Sequence, residues 1–142
     1  MPNHAPNEQL IRRYYRAMNA RDFDTVWACF ADDVVYTDAA LGHTFNGLKE
    51  FKAFYLEYML PLDVSLELGM LITTDAAFAL SNRFFGKHVA DLPGMPATGK
   101  PYSVPSATIG TIEEGKIKTN TDYWNFHAML TQLGFAPAAG GS

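Results

Sequence analysis

Apolar positions recur along this chain with two different periods, and the change from one to the other divides it. Leu10, Ile11, Tyr14, Tyr15 and Met18 fall three or four residues apart, with Arg12, Arg13 and Arg16 on the other side. That spacing predicts an amphipathic helix over 7–20. Pro2 and Pro6 disfavour helix before it, so residues 1–6 are expected to form a flexible arm. Asp22 suits the N-cap of a second short helix, whose Phe23, Val26, Trp27 and Phe30 make a buried stripe. After Ala31-Asp32-Asp33, the β-branched and aromatic residues of 34–37 predict a strand ending at Asp38, and the small residues of 39–42 predict a loop. Gly47 precedes a third helical run over 48–60, carrying Leu48, Phe51, Phe54, Tyr55, Tyr58 and Met59, and Pro61 stops it.

From there the period falls to two. Leu62, Val64, Leu66 and Leu68 alternate with Asp63, Ser65, Glu67 and Gly69, as in a strand with one buried face. Thr73-Thr74-Asp75 turns the chain into a second long strand over 76–89. The segment 91–99, DLPGMPATG, has two prolines and two glycines and is expected to be a loop that rims or covers a cavity. A third strand, 102–113, passes through Glu114-Gly115 into a fourth, 116–124. There Lys118, Asn120, Asp122 and Trp124 are expected on one face, and Ile117, Thr119, Thr121 and Tyr123 on the other. Phe126, Met129, Leu130 and Leu133 then predict a short helix capped by Gly134. Helices first and long strands after them indicate an α+β fold: a curved antiparallel sheet, cone-shaped, with three N-terminal helices on its concave face and a short C-terminal helix.

Composition narrows the picture. The 142 residues, 48% hydrophobic and 18% charged, suffice for one domain with a substantial core, placed at 7–134, with residues 135–142 as a disordered tail. The aromatic share of 13% implies either dense packing or a ring-lined cavity. A net charge of −4 without any Lys/Arg run argues against nucleic acid or an anionic membrane as partner. Without a charged and apolar leader at the N-terminus, a soluble, cytoplasmic protein is expected. The single cysteine, Cys29, excludes an intramolecular disulfide and a thiolate metal cluster. His4, His43, His88 and His127 lack metal-ligand spacing, and no Gly-rich phosphate loop occurs, so neither metal nor cofactor is expected.

Two stretches carry a family resemblance. The first, RRYYRAMNARDFDTVWACFADDVVYTD with FKAFY after it, resembles the ketosteroid isomerases. The second runs from GKHVADLPGMPATGKPYS through EEGKIKTNTDYWNFHAMLTQLG and resembles the SnoaL-like polyketide cyclases. Both belong to the nuclear transport factor 2-like superfamily, and the resemblance spans nearly all of 7–134. The isomerase resemblance implies Tyr14 as oxyanion donor, Asp38 as proton-shuttling carboxylate and Tyr55 as a supporting pocket tyrosine. It places a second, acidic oxyanion donor near Pro105-Ser106-Ala107, where this chain is expected to have Ala107. The cyclase resemblance implies Asp122 as the acid/base of an intramolecular aldol closure, with His88 on the same signature. Epoxide hydrolysis, known on this fold, needs an Arg-x-Asp pair, whereas Arg83 is followed at that offset by Phe85.

The candidate catalytic residues are therefore Asp122, Asp38, Tyr14 and His88, and the candidate substrate-lining residues Trp27, Phe51, Tyr55, Met95, Asn120 and Trp124. Each has a plainer alternative: Asp122 paired with Lys118 or Arg83, Asp38 as turn chemistry, Tyr14 and the large rings as core. The expected function is cofactor-independent acid/base chemistry beside a carbonyl on a small hydrophobic substrate, polycyclic or polyketide-like, by aldol cyclisation or isomerisation. The alternative is a non-catalytic ligand-binding or interaction module with the same cone. The superfamily resemblance also implies a homodimer formed through the outer face of the sheet.

Overall fold

The computed structural model describes residues 4–137. Its elements are α1 (His4–Asn19), α2 (Phe23–Ala28), β1 (Phe30–Asp38), β2 (His43–Asn46), α3 (Leu48–Phe54), β3 (Ser65–Thr73), β4 (Ala77–Lys87), β5 (Pro101–Glu113), β6 (Lys116–Trp124) and α4 (Phe126–Leu133). The strands form one curved, unclosed sheet in the order β2-β1-β6-β5-β4-β3. Every neighbouring pair is antiparallel except β1 with β6, which run parallel. The expected helix-then-strand order and the helical cover of the concave face are both present, with that one parallel pair added to the sheet.

Boundaries moved where tertiary contacts compete with local preference. Helix α1 begins at His4, inside the stretch expected to be an arm. Pro6 sits in its first turn, where a missing N–H removes no helical bond. Two asparagines fix this helix to the sheet edge: Asn7 donates to the carbonyls of Thr74 and Asp75, and Asn19 exchanges bonds of 2.8 and 2.7 Å with Leu66. Of the expected tail, residues 138–142 lie outside the described residues. Strand β2, unforeseen, pairs with β1 as a hairpin across the 39–42 loop.

The third helix does not run straight to Pro61. After Phe54 it widens into a π-turn over Tyr55–Met59 and then tightens into a 3₁₀ turn over Leu60–Leu62. Strand β6 carries a bulge: Thr111 pairs with Thr119 but Ile112 with Ile117, leaving Lys118 as the extra residue. The bulge reverses the expected parity at this end. Ile117 is fully buried in the core, and Lys118 turns outward to an ion pair with Asp33.

Most of the core lies between the sheet and α1 to α3. Leu10, Ile11, Met18, Val26, Val34, Phe51 and Ile117 are sealed within it. A smaller cluster of Leu62, Val64, Leu92, Tyr102, Val104, Met129 and Leu133 lies beneath the 88–100 strap and α4. No helix among the described residues is long and apolar enough to cross a membrane.

Candidate active site

Between these two clusters the concave side of the sheet encloses a cavity of ≈ 280 Å³. Its walls are largely apolar: Ile11 from α1, Phe54, Tyr58 and Met59 from the third helix and its π-turn, Phe78, Leu80 and Phe84 from β4, and Leu92, Pro93 and Met95 from the strap. The widened turn matters because an inserted residue shifts which side chains face inward. Phe54, Tyr58 and Met59 reach the cavity, while Tyr55 is buried away from it.

Two carboxylates enter this apolar space side by side. The parallel pairing puts Asp38 and Asp122 directly opposite one another, at the last paired position of β1 and β6. Asp122 accepts hydrogen bonds from the Tyr36 hydroxyl, from Thr108 Oγ1 at 2.7 Å and from Asn120 Nδ2 at 3.1 Å. Burial raises its pKa above the usual carboxylate value; those three bonds oppose the rise, and the neighbouring Asp38 adds to it. Asp38 is held differently: the Trp124 indole Nε1 lies 3.0 Å from both of its oxygens, and the Leu41 amide donates at 2.9 Å. Burial raises its pKa too, against the bonds from Leu41 and Trp124. No Lys, Arg or His stands among the residues lining the cavity. The ion-pair alternative for Asp122 is not what the chain adopts, since Lys118 pairs with Asp33 and Arg83 donates to Ser103 at 3.0 Å.

A third group completes this end. Tyr14 lines the cavity from α1, and no hydrogen bond engages its hydroxyl among the described residues. Burial raises its pKa, and the charge on Asp122 raises it further, so at neutral pH it is a neutral O–H donor close enough to feel that carboxylate.

Of the expected site residues, the cavity gathers Asp122, Asp38, Tyr14, Asn120, Trp124 and Met95, and it leaves four aside. Trp27, Phe51 and Tyr55 form an aromatic cluster behind the wall, with ring centroids 5.6 Å apart for Trp27–Phe51 and 5.5 Å for Trp27–Tyr55. Phe51 still bears on the site, because it stacks at 4.2 Å on Tyr36, the residue that donates to Asp122. His88 lies on the cavity side of β4 by parity but beyond the cavity's end. The 62–63 backbone crosses over Gly86 so closely that a Cβ there would fall 2.4 Å from the carbonyl oxygens of Leu62 and Asp63, and this crossing walls the histidine off. His88 is fully buried, and its Nδ1 accepts from the Thr98 amide at 3.3 Å, tying down the strap.

Along 105–108, Ser106 and Thr108 face the cavity and Ala107 faces outward, so Ala107 does not occupy the expected donor position. Sequence reasoning missed Tyr36 and Thr108 as partners of Asp122. Strand parity could have found Tyr36, two residues before Asp38. Thr108 needed the β5–β6 register, which pairs it with Asp122.

Known proteins share this chain's sequence pattern and its fold. The family model described as SnoaL-like polyketide cyclase matches residues 8–133. An aklanonic acid methyl ester cyclase from Streptomyces sp. (strain C5) is 29% identical over 134 residues, covering 92% of this chain and 83% of that protein. Another, from Streptomyces peucetius, is 30% identical over 129 residues, covering 88% of each. Among solved structures, TsrD from Streptomyces laurentii superposes with a TM-score of 0.79 at 24% identity, covering 93% of this chain and 97% of that one. A Jannaschia protein assigned to the SnoaL-like polyketide cyclases superposes with a TM-score of 0.84 at 16% identity, covering 97% of both chains. At such identities the two structures share the fold. The chain belongs to the SnoaL-like polyketide cyclase family.

Proposed function

We propose that this SnoaL-like family member closes a carbon ring in a small hydrophobic carbonyl substrate by general acid/base catalysis, with no cofactor taking part. The observation that carries the reading is the placement of two carboxylates in one apolar cavity, whose lining holds no Lys, Arg or His, beside an unengaged tyrosine hydroxyl. Asp122 removes a proton from the carbon next to the carbonyl, and Tyr14 donates to the enolate oxygen. The enolate carbon attacks a second carbonyl in the same molecule, forming the new C–C bond. The resulting alkoxide takes back the proton that Asp122 carries, leaving a hydroxyl and a restored carboxylate. Asp38 is the second carboxylate and the alternative base. A raised carboxylate pKa suits both halves of the cycle, since a stronger base is formed without losing the ability to reprotonate.

The test is exchange of the α-proton of 2-acetonaphthone in D₂O, followed by mass spectrometry with wild type, Asp122→Asn and Asp38→Asn. Loss of enzyme-dependent exchange on the order of 10³-fold in Asp122→Asn supports the reading. Exchange that survives in both variants would sink it and favour a binding module, which needs the cavity but no acid.

The same family member is proposed to act as a homodimer through the outer face of its sheet. Met70, Ile72, Ile109 and Tyr123 are exposed there, on β3, β5 and β6. Light scattering after size exclusion should give twice the 15.7 kDa chain mass, and a monomer at high concentration would refute this.

A further inference from the structure

Helix α1 meets the edge of the sheet along a second, smaller space. It is an open crevice of ≈ 200 Å³, lined by Arg12, Tyr15, Arg16 and Asn19 from the helix and by Leu66 and Leu68 from β3. Tyr15 and Leu66 also line the cavity that holds the carboxylates, and so form the partition between the two spaces. The two arginines stand out in a chain whose net charge is −4. Arg12 donates from Nε and Nη2 to Glu8, at 3.3 and 3.0 Å, which leaves Nη1 over. Arg16, one turn further along, is exposed and has no ion-pair partner among the described residues.

The strand edge adds a donor. β3 is the last strand of the sheet, so its side away from β4 has no neighbouring strand. At Leu66 the Asn19 amide takes that place, accepting from the backbone N–H at 2.7 Å and donating to the carbonyl at 2.8 Å. Backbone groups of an antiparallel strand turn to alternate sides, and the β3–β4 register runs unbroken from Ser65 to Leu68. Leu68 therefore turns its N–H to the same free side as Leu66, where no side chain among the described residues accepts it. The crevice thus combines one backbone N–H, the Arg16 guanidinium, the spare Nη1 of Arg12 and a floor of two half-buried leucines. A carboxylate matches the donors, one oxygen accepting from the Leu68 N–H and the other from a guanidinium. A short alkyl tail matches the floor.

We infer that this crevice is a binding site for a small amphiphilic carboxylate, its head between Arg16 and the Leu68 amide and its tail along Leu66 and Leu68. The site is separate from ring closure and does not depend on which residue is the base there.

Titration of the isotope-labelled protein with octanoate, followed by NMR of the backbone amides, tests this. The Leu68 amide resonance is expected to move saturably as the carboxylate occupies it, with an apparent Kd that rises with added salt. Octanol, which has the tail without the charge, should leave that resonance in place. Acetate, which has the charge without the tail, should bind at least about fivefold more weakly. Arg16→Gln should weaken octanoate binding about fivefold, whereas Arg13→Gln, an exposed arginine of the same helix outside the crevice, should stay within about twofold of wild type. A Leu68 amide that does not move with octanoate overturns the assignment, and so do equal effects of Arg16→Gln and Arg13→Gln. Equal shifts with octanol would overturn it in favour of tail binding alone, and acetate as effective as octanoate would mean an adventitious ion only. Failure of the catalytic reading would appear separately, as α-proton exchange that survives in Asp122→Asn.

Discussion

Asp122, half-buried, and His88, fully buried, are both polar residues on the cavity-facing side of the sheet, yet the fold uses them differently. Asp122 sits in mid-sheet with three donors on its oxygens and its exposed edge toward the cavity. His88 sits just past the end of β4, behind the crossing chain at 62–63, with its backbone N–H bonded to Lys100 O at 3.0 Å and its carbonyl accepting from Gly99 at 2.8 Å. Its ring meets Phe135 at 5.9 Å, and Nε2 has no partner among the described residues. Burial alone therefore does not mark a reactive group. What separates the two is whether the unsatisfied capacity opens onto enclosed space or onto packed side chains.

The sharpest way to break this comparison is to exchange the consequences. Asp122→Asn should lower single-turnover ring closure on the order of 10³-fold, with no loss of melting temperature at neutral pH. His88→Ala should do the reverse, costing about 2 kcal/mol in denaturant unfolding and leaving the rate per folded molecule within about twofold. Equal rate losses in the two variants would erase the distinction drawn here. Asp38→Asn, with its carboxylate already engaged by Trp124 and Leu41, is expected to fall between them, at roughly 10- to 100-fold in rate.

Two smaller effects sharpen the account of Asp122. Tyr36 donates to its carboxylate and so opposes the rise that burial causes. Tyr36→Phe should raise the pKa of Asp122 further, moving the acidic limb of the kcat/KM profile to higher pH. A limb that moves down or stays fixed would mean that another group governs it. The stability consequence has the opposite sense to that of a salt-bridged carboxylate. With the native pKa above the ordinary 3.8, the folded state holds more protons than the unfolded state between those two values, so stability falls as pH rises through that window. Asp122→Asn should flatten the decline, as read from urea midpoints between pH 4 and 7, and an unchanged slope would count against an uncompensated buried charge.

The amino-acid sequence determined the period changes, and with them α1, α2, the long strands, the strap and the cap residues Asp22 and Gly134, because each depends on neighbours within a turn or a strand repeat. It also carried the family, through the local signatures around Tyr14, Asp38 and Asp122. Parity along β6 placed Asn120, Asp122 and Trp124 on one face, and it failed only at Ile117 and Lys118, where a bulge depends on the partner strand. The tertiary structure alone decided the rest. The parallel β1–β6 pairing sets Asp38 level with Asp122, the chain crossing at Gly86 excludes His88, and the π-turn after Phe54 sends Tyr58 inward while Tyr55 packs behind. These outcomes depend on contacts between residues tens of positions apart, whose free energies exceed local propensity and leave no period in the chain to read.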